Sequence, residues 1–364
     1  MEIRIASEND VSSIIQLIIN RMEWMDETGL KEWNSNGYLE YYTEDYFKNN
    51  IESFYVAEED HQIVGAMCLY TSDERWQDDK ECYYVHHLVS DVHHKGLGKL
   101  LLLYADILSY KKGYDVIRLD SSTYDEKLTN MYSSLNYKPV YNFIEGNYHG
   151  TTREKRIGCQ YDAIIYDLDG TMVNTFDMNF YPLLQIIEEE KGMKLSIDDV
   201  KKYASYDGKR TLKDLEIENI EEVYKRWVEY VNSYPTKAMP FDYMQFILDH
   251  MPIVQGVVSS KRNAQYQIDI VSQGLDTHIS SKVLAEDTPL HKPNKEPLEL
   301  CCKRLGVEVS KVLYIGDTYS DYLTCKNAGC DFGYALYGNV NKEIIEEATY
   351  VFHTPMEILK IFSE

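Results

Sequence analysis

The sequence has 364 residues, 44% of them hydrophobic, and a formal net charge of −23 at pH 7. This length favours two domains, or one domain with an insert, and the apolar content is sufficient for real cores. The acidic excess argues against a nucleic-acid partner and against an anionic membrane surface, because both select for basic patches.

Cysteine usage and the N-terminal segment indicate the compartment. Seven cysteines are scattered without a CxxC pair or a zinc-like Cys/His spacing, which is typical of reduced thiols in the cytosol. The start, MEIRIASEND, lacks the basic stretch and apolar core of a signal peptide. The apolar run that begins at Leu100–Leu103 is broken by Asp106 and is too short to span a bilayer. We therefore expect a cytoplasmic protein with no membrane partner.

The first part of the chain predicts a mixture of strands and helices. A short strand over residues 3–5 precedes a helix that Ser7 or Asp10 could cap. Polar residues at Glu58–His61 indicate the turn of a hairpin over 53–71, and another strand covers Tyr83–Val89. The apolar positions that recur at helical spacing in the first helix are Val11, Ile14, Ile15, Ile18 and Ile19.

Gly96 and Gly98 lie between the last of these strands and a strongly apolar helix, in VSDVHHKGLGKLLLL. Glycine allows close backbone approach, and the N–H groups of a first helical turn can bind an anion. The arrangement resembles the acetyl-CoA pyrophosphate loop of the GNAT superfamily of N-acyltransferases, with the pattern Gln/Arg-x-x-Gly-x-Gly/Ala. His93 at the first position is a departure. The resemblance implies that Leu88 and Val89 bind acetyl-CoA through backbone groups, which are free where their strand splays from its neighbour. It also assigns acetyl-CoA binding to the loop and helix residues His93, His94, Lys95, Gly96, Leu97, Gly98 and Lys99.

A second similarity to this superfamily follows the predicted strand Val116–Leu119. The stretch LTNMYSSLNY is similar to the family's helix ending in Leu-Tyr-x-x-x-Gly-Phe, and the match gives Tyr132 the role of general acid toward the CoA thiolate. A buried core tyrosine is the alternative. Asp125 replaces the usual Asn, and Asn136–Tyr137 replaces Gly-Phe, although Asn136 can still adopt the left-handed conformation of a helix end.

The resemblance covers roughly residues 1–157 and leaves the general base open. His86 and His87 are candidates, and only one of them can face the site because side chains alternate along a strand. Metal binding by the histidine pairs has no support from carboxylate or cysteine spacing. Trp24 and Trp33 lie among acidic residues in the region that lines the acceptor site in this family. Aromatic rings with carboxylates nearby suit a small ammonium-bearing amine.

Residues 151–160, TTREKRIGCQ, are predicted to form a short polar link. The next stretch, YDAIIYDLDGTMVNT, is an apolar run that delivers Asp167 and Asp169 to a Gly170–Thr171 turn. Such a run suits a buried parallel strand, and ligands in open α/β sheets bind at the carboxyl ends of strands. A strand followed by an acidic turn is the plain alternative. The paired carboxylates become tolerable when a divalent cation lies between them and a substrate oxyanion.

This stretch resembles motif I of the haloacid-dehalogenase-like (HAD) superfamily of aspartate-nucleophile phosphohydrolases, and three further motifs follow in the family's order. IVQGVVSSK contains Ser259 at the hydroxyl position, HKPNKEPL supplies Lys292, and VLYIGDTYSD ends in Gly-Asp-x-x-x-Asp. Four matches in order are far more specific than any one of them.

The resemblance also implies roles. Asp167 would attack phosphorus and form an aspartyl-phosphate, and Asp169 would protonate the leaving oxygen and later activate water. Ser259 and Lys292 would hold the phosphoryl oxygens. The substrate would also contact Gly170, Thr171 and Ser260, and the expected Mg²⁺ ligands are Asp167, Asp169 through its backbone carbonyl, Asp317, and Asp321 through an oriented water.

Residues 176–245 become helical, similar to the small helical cap of one HAD subclass, which closes over the phosphate and chooses the leaving group. Within it, Asp207-Gly208-Lys209-Arg210 is predicted as a turn before a helix, where Lys209 and Arg210 contact substrate or are simply solvated. The core, 158–175 with 246–364, is predicted as a doubly wound parallel sheet. Its predicted strands are Ala163–Leu168, Ile253–Ser259, Val283–Leu284, Val312–Ile315 and Gly333–Ala335.

The expected fold class is therefore α/β: a GNAT-like mixed α+β domain over 1–157, then a HAD-like doubly wound, Rossmann-like core with a small α-helical cap over 158–364. We expect a bifunctional enzyme that uses Mg²⁺ to hydrolyse a small phosphorylated metabolite and acetyl-CoA to acetylate a small amine. A sugar phosphomutase in the second half, or a non-catalytic acetyl-CoA-sensing module in the first, remain alternatives. The sequence does not determine the oligomeric state.

Overall fold

A computed structural model describes residues 1–35, 37–203, 206, 208–235, 237–338 and 344–363. The chain divides into two compact units, one formed by residues 1–159 with 359–363, and the other by residues 160–358. The predicted fold class is confirmed: the first unit mixes helices with a largely antiparallel sheet, and the second is a parallel α/β sheet with a helical insert.

The first unit is built on a seven-stranded sheet in the order β1-β2-β3-β4-β5-β7-β6. Adjacent strands are antiparallel except for β4 and β5, which run parallel. Its strands are β1 (Glu2–Ile5), β2 (Phe54–Glu59), β3 (Gln62–Tyr70), β4 (Tyr83–Ser90), β5 (Val116–Ser122), β6 (Lys138–Glu145) and β7 (Tyr148–Arg156). Its helices are α1 (Val11–Thr28), α2 (Tyr38–Tyr41), α3 (Glu44–Asn49), α4 (Leu97–Lys112) and α5 (Glu126–Ser134).

A fork between β4 and β5 is the feature that positions a site in this unit. The two strands pair only where Tyr83–Val85 faces Ile117–Leu119, although β4 continues to Ser90 and β5 to Ser122. Beyond Val85 the two strands are no longer registered against each other. This register matches the splayed strand that the GNAT resemblance implies.

The prediction of a polar link over 151–160 is wrong for residues 151–156, which belong to β7 between β5 and β6. The polar side chains are accommodated because they are paired inside the unit. Lys155 is fully buried and its Nζ lies 2.5 Å from Oδ2 of Asp106 on α4. Arg153 is also buried and donates to Ser121 Oγ at 2.9 Å. The partners of Lys155 and Arg153 are distant in sequence. The local sequence therefore showed only a polar stretch, which predicted a solvated link.

The second unit contains a parallel sheet in the order β12-β11-β8-β13-β14-β15. All four residues of β8 are buried, as expected for a central strand with both faces covered. Of the predicted strand Val283–Leu284, only Val283 belongs to a strand, which begins at Ile279, and Tyr350–Phe352 adds an edge strand that was not predicted. The strands are β8 (Ala163–Tyr166), β11 (Val254–Val258), β12 (Ile279–Val283), β13 (Val312–Gly316), β14 (Asp331–Ala335) and β15 (Tyr350–Phe352). The helices of the core are α10 (Met244–His250), α11 (Asn263–Asp269), α12 (Glu296–Leu305) and α13 (Tyr319–Ala328).

The insert between β8 and β11 is a helical cap with its own apolar core, which includes Leu183, Ile186, Leu212 and Trp227. Two short antiparallel strands, β9 (Val173–Asn174) and β10 (Met239–Pro240), lie at its two ends. Its helices are α6 (Phe176–Lys191), α7 (Ile197–Val200), α8 (Gly208–Asp214) and α9 (Ile220–Asn232).

The part of the insert predicted as a substrate-contact turn is helical from Gly208 onward, so Lys209 and Arg210 lie in the first turn of α8. Asp207, the first residue of that predicted turn, lies outside the described residues. Among the helices that the structure describes, none is both long enough and apolar enough to cross a membrane.

Candidate active sites

The carboxyl end of β8 brings three acidic side chains together in the second unit. Asp167 follows β8 directly, and its backbone N–H donates to the carbonyl of Ile315 on the neighbouring β13 at 2.8 Å. Asp317 and Asp321 follow β13, and carboxylate oxygens of all three aspartates lie within 4.8 Å of one another. Each of the three is almost completely buried. Adjacent parallel strands thus bring together residues about 150 positions apart in sequence.

Lys292 lies between two of these carboxylates. Its Nζ is 2.8 Å from Oδ1 of Asp167 and 2.6 Å from Oδ1 of Asp321. Burial by itself lowers the pKa of this ammonium, but the two aspartates outweigh burial and raise it above its usual value. Lys292 therefore keeps its charge, and an anion that approached Asp167 would meet a fixed cation beside it.

Asp321 is held by donors on both of its oxygens. Oδ1 accepts from Lys292 and from Tyr314 Oη, the latter at 2.8 Å, while Oδ2 accepts from the backbone N–H and hydroxyl of Thr318 at 3.0 and 2.5 Å. A carboxylate with these bonds is fixed in place and has little capacity left for a further direct ligand.

The three aspartates and Lys292 leave a buried excess of negative charge. Burial, helped by the repulsion of Asp321 and Asp169, outweighs the attraction of Lys292 and raises the pKa of Asp167 to about 7. Burial and the two neighbouring carboxylates also raise the pKa of Asp317 well above its usual value. These oxygen ligands have the chemistry that a hard divalent cation prefers, and such a cation would remove the repulsion between them. The donor set therefore fits Mg²⁺.

Asp169 belongs to a second ion-pair cluster, which the sequence did not reveal. Lys261 is nearly buried, and its Nζ lies 3.0 Å from Oδ1 of Asp169 and also contacts Oδ2 of the buried Asp269 on α11. The backbone N–H of Lys261 donates to Oγ of Ser259 at 3.2 Å. Lys261 lies two residues after Ser259 of motif II, and this position is the only local sequence feature that could have indicated its role. Nothing in the sequence singles out Asp269.

The remaining predicted residues of this half are placed as follows. Gly170 has φ +71°, and a β-carbon there would lie 2.2 Å from Oδ2 of Asp317. Thr171 is buried with Oγ1 3.5 Å from Oδ1 of Asp317, while Ser260 is exposed. In the cap, Lys209 Nζ is 2.7 Å from Oε1 of Glu221, and the guanidinium of Arg210 lies 3.8 Å from the ring centre of Tyr206.

In the first unit, the glycine loop precedes α4 as predicted. Gly96 has φ +89° and is the N-cap of the helix. Asp91 arranges the loop by accepting from the backbone N–H of His93 at 2.7 Å, and Nε2 of His94 lies 3.2 Å from Oε2 of Glu59. A β-carbon on Gly98 would contact nothing within 4 Å, so the space above the first helical turn is open. This geometry fits the phosphate end of acetyl-CoA.

Tyr132 lies on α5 and is buried. Its ring packs edge-on against Tyr137, and the Arg153 guanidinium lies 5.9 Å from its ring centre. Burial, together with the negative charge of Asp120, raises the pKa of the phenol, so Tyr132 keeps its proton at neutral pH. The N-terminus of α5 is capped by Asp125, which accepts from Leu128 N at 2.9 Å in the place of the family's usual Asn.

The two adjacent histidines on β4 have different environments. His87 has φ +51° and is buried among aromatic rings, with the Tyr46 hydroxyl 3.0 Å from its Nε2 and the Tyr38 hydroxyl against Nδ1. Burial lowers the pKa of His87 to about 3. His87 is therefore part of the apolar core, and His86 is the histidine on the other face.

His86 is surrounded by charged residues that the sequence analysis missed. Its Nε2 lies 2.7 Å from Oδ2 of Asp73, in the β3–β4 loop, and ligand atoms of Asp73, His86 and Asp120 lie within 4.8 Å of one another. Arg75 stands beside both carboxylates, at 3.5 Å from Asp73 and 3.9 Å from Asp120. The Arg75 guanidinium already offsets much of the negative charge of Asp73 and Asp120. This cluster therefore needs a metal ion less than the aspartates around Lys292 do.

Comparison with known families agrees with this two-part organisation. The model described as "Acetyltransferase (GNAT) family" matches residues 19–137, and that described as "Haloacid dehalogenase-like hydrolase" matches residues 164–335. The chain thus contains a GNAT acetyltransferase domain and a HAD-like hydrolase domain, as predicted.

Curated relatives of this chain are phosphatases. It is 29% identical over 211 residues to a Clostridium perfringens protein provisionally named pyrophosphatase PpaX. The aligned region covers 55% of this chain and 96% of the relative. It is 25% identical over 213 residues to N-acetylmuramic acid 6-phosphate phosphatase of Pseudomonas putida, covering 55% and 95% of the two chains. A solved haloacid dehalogenase-like family hydrolase from Streptococcus pneumoniae shares the fold, with a TM-score of 0.50, 16% identity and coverage of 56% and 99%.

Proposed function

We propose that this chain, which joins a GNAT acetyltransferase domain to a HAD-like hydrolase domain, hydrolyses a small phosphate monoester in its second unit and acetylates a small amine in its first. The observation that carries the phosphatase proposal is the placement of Lys292 between Asp167 and Asp321, with Asp317 beside them. A carboxylate can attack an anionic phosphate only when nearby cations offset the repulsion.

In the proposed reaction Asp167 is the nucleophile. One of its oxygens attacks phosphorus, the bond from phosphorus to the ester oxygen breaks, and Asp169 gives its proton to the leaving alcohol. Asp169 then takes a proton from the water that cleaves the aspartyl-phosphate, which returns Asp167 to its free form and releases inorganic phosphate. Lys292 and Ser259 hold phosphoryl oxygens, and the cap excludes water until the substrate is seated.

Mg²⁺ would be held by oxygens of Asp167, Asp317 and the Asp169 backbone, and would supply charge neutralisation at the phosphate. Asp321 suits the role of orienting a metal-bound water, because both of its oxygens already accept hydrogen bonds from the protein.

The relatives suggest where to look for the substrate. Their names refer to pyrophosphate and N-acetylmuramic acid 6-phosphate, both of them small anions. The last of these carries both an acetylated amine and a phosphate. A fusion of the two activities would suit consecutive steps on one metabolite that carries an amine and a phosphate, so amine-bearing and N-acetylated phosphates have priority among the compounds to test.

The acetyl-transfer proposal is supported by two features of the first unit: the open loop at Gly96–Gly98 and the fork between β4 and β5. Acetyl-CoA would lie with its phosphates at the loop and its pantetheine along the unpaired backbone of Leu88 and Val89. Tyr132 would protonate the departing thiolate. Replacing Tyr132 with Phe removes that acid, and we expect CoA release to slow by about 100-fold.

The phosphatase proposal is tested by measuring phosphate release with Mg²⁺ from a panel of phosphorylated metabolites, comparing the wild type with Asp167→Asn. We expect release by the wild type only, concentrated on one small class of esters. A wild type that releases no phosphate but transfers it between sugar hydroxyls would show a phosphomutase instead. If Asp167→Asn retains full activity, the assignment of the nucleophile is wrong.

A further inference from the structure

The fork between β4 and β5 holds a histidine–carboxylate pair that no motif of the sequence indicates. The last registered pair of the fork is Val85 with Leu119, so the next positions on the two strands are His86 and Asp120. Their side chains stand at the point where the strands part, with titratable atoms within 4.8 Å of one another and of Asp73. A site at this point is adjacent to the backbone at which acetyl-CoA is proposed to bind.

The hydrogen bond to Asp73 determines which ring nitrogen of His86 carries a proton. Burial alone raises the pKa of Asp73, but hydrogen bonds from His86 and from the backbone of Arg75 outweigh it, and the net pKa lies below its usual value. Asp73 is therefore an ionised acceptor, and Nε2 of His86, 2.7 Å away, must carry the proton. In the neutral ring this leaves the lone pair on Nδ1, which makes His86 a proton acceptor.

The surroundings suit a positively charged acceptor. Asp120 lies beside His86, and Tyr148 donates its hydroxyl to the second oxygen of Asp120 at 2.7 Å, which fixes that carboxylate. Tyr70 places its ring 5.4 Å from the imidazole ring, and an aromatic face attracts an ammonium group. Arg75 lies 3.5 Å from Asp73 and 3.9 Å from Asp120 and also pairs with Glu145 at 2.6 Å, so three carboxylates surround this one guanidinium and negative charge remains for an ammonium group.

From this geometry we propose that His86, oriented by Asp73, is the general base that deprotonates a primary ammonium acceptor, and that Asp120 binds this ammonium group. The proposal rests on the acetyl transfer proposed above and names its acceptor class and base. His86 would be a catalytic residue, whereas Asp73 would be a positioning residue that acts through His86.

The step balances as R–NH₃⁺ + CH₃CO–S–CoA → R–NH–COCH₃ + CoA–SH + H⁺. His86 Nδ1 takes one proton from the ammonium and later releases it to solvent. The amine nitrogen then attacks the thioester carbonyl, a C–N bond forms and the C–S bond breaks. The second proton of the nitrogen balances the proton that Tyr132 gives to the departing sulfur.

The test compares two kinds of nucleophile in the full-length protein, with acetyl-CoA and detection of released thiol. Spermidine, tyramine and glucosamine 6-phosphate present protonated amines at neutral pH, whereas hydroxylamine is uncharged and needs no base to generate it. We expect His86→Gln to lower kcat/KM about 100-fold with the accepted amine, and less than about fivefold with hydroxylamine. We expect Asp73→Asn to lower kcat more than it raises KM, and Asp73→Glu to recover part of that loss.

The control is His61→Gln. His61 also faces a carboxylate, with Nδ1 3.7 Å from Oε1 of Glu58, but it is fully exposed at the β2–β3 turn. Its replacement should leave both reactions unchanged, and unaltered hydrogen exchange of the β3 and β4 amides in each variant shows that the first unit has folded.

The outcomes separate the two proposals. If the wild type releases CoA with none of the four nucleophiles, the underlying acetyl transfer is wrong, and the base with it. If the wild type acetylates an amine and His86→Gln does so equally well, or loses both nucleophiles to the same extent, only the assignment of His86 is overturned. A wild type that acetylates hydroxylamine alone excludes the ammonium acceptor.

Discussion

Gly170 lies so close to Asp317 that a β-carbon at residue 170 would be 2.2 Å from Oδ2 of that carboxylate. The contact joins the turn after β8 to the residue that follows β13, and it brings the backbone beside Asp169 against a second acidic side chain. Gly170 also has φ +71°, a conformation that other residues adopt at a cost. The two reasons for glycine can be separated experimentally.

We expect Gly170→Ala to abolish phosphate release, because Asp317 must move. We also expect it to destabilise the second unit by about 1–3 kcal/mol beyond the backbone cost. Gly192→Ala is the matched control: its φ is +67°, but a β-carbon there meets nothing within 4 Å. It should cost about 1 kcal/mol and leave activity unchanged. Thermal melting and phosphate release measure the two effects; equal behaviour of the variants would show that the contact with Asp317 is unimportant.

Replacing Lys292 with Met should destabilise the Mg²⁺-free protein by about 3–5 kcal/mol, because it leaves Asp167 and Asp321 buried without their cation. Mg²⁺ should restore part of the stability but not the activity. Hydrogen exchange of β8 and β13 amides, with and without Mg²⁺, measures the change. Lys295→Met, which removes an exposed pair with Glu299, should cost less than about 1 kcal/mol. A stable Lys292→Met protein without Mg²⁺ would contradict the argument.

The Lys261 cluster predicts an effect on the rate of phosphate hydrolysis. Lys261→Met removes the partner that holds Asp169 in place, and we expect kcat to fall on the order of 10²-fold with a smaller change in KM. Asp269→Asn should give a smaller loss in the same direction, since it removes one anchor of Lys261. Asp249→Asn, at a partly exposed pair with His278, is the control and should leave kcat unchanged. Full activity of Lys261→Met would exclude this positioning role.

The buried imidazole of His87 predicts acid sensitivity in the first unit. Burial lowers its pKa from 6.5 to about 3, so below pH 6.5 the unfolded chain binds a proton that the folded unit does not. This contribution to stability is complete above pH 6.5. It is lost as the pH falls toward 3, at up to about 1.4 kcal/mol per pH unit.

His87→Asn removes the titrating group while keeping a residue that tolerates the left-handed backbone. Hydrogen exchange of the β3 and β4 amides measures the free energy of unfolding of the first unit. We expect this free energy to become less dependent on pH between 6.5 and 4 in this variant. His61→Asn, also at positive φ but exposed, should leave the wild-type dependence intact. An unchanged slope in His87→Asn would assign the acid sensitivity to other groups.

The sequence by itself determined the order of the domains and most of the residues at the end of β8. Apolar runs followed by Asp167, Ser259 and Asp317 are local patterns. Because parallel strands present their carboxyl ends at one edge of a sheet, such patterns predict a shared site without knowledge of the packing. The local patterns were therefore sufficient to predict that Asp167 and Asp317 would meet, and their carboxylate oxygens lie within 4.8 Å of each other.

Only the tertiary structure decided the pairings that depend on distant partners. Asp73 orients His86 from a loop, Asp269 holds Lys261 from a helix, and Lys155 is buried because Asp106 lies opposite it. Nothing in the local sequence distinguishes these carboxylates from the many others of an acidic chain. Charge pairs become specific only when folding removes water from around them, and which pairs lose their water is set by strand register and helix packing rather than by spacing.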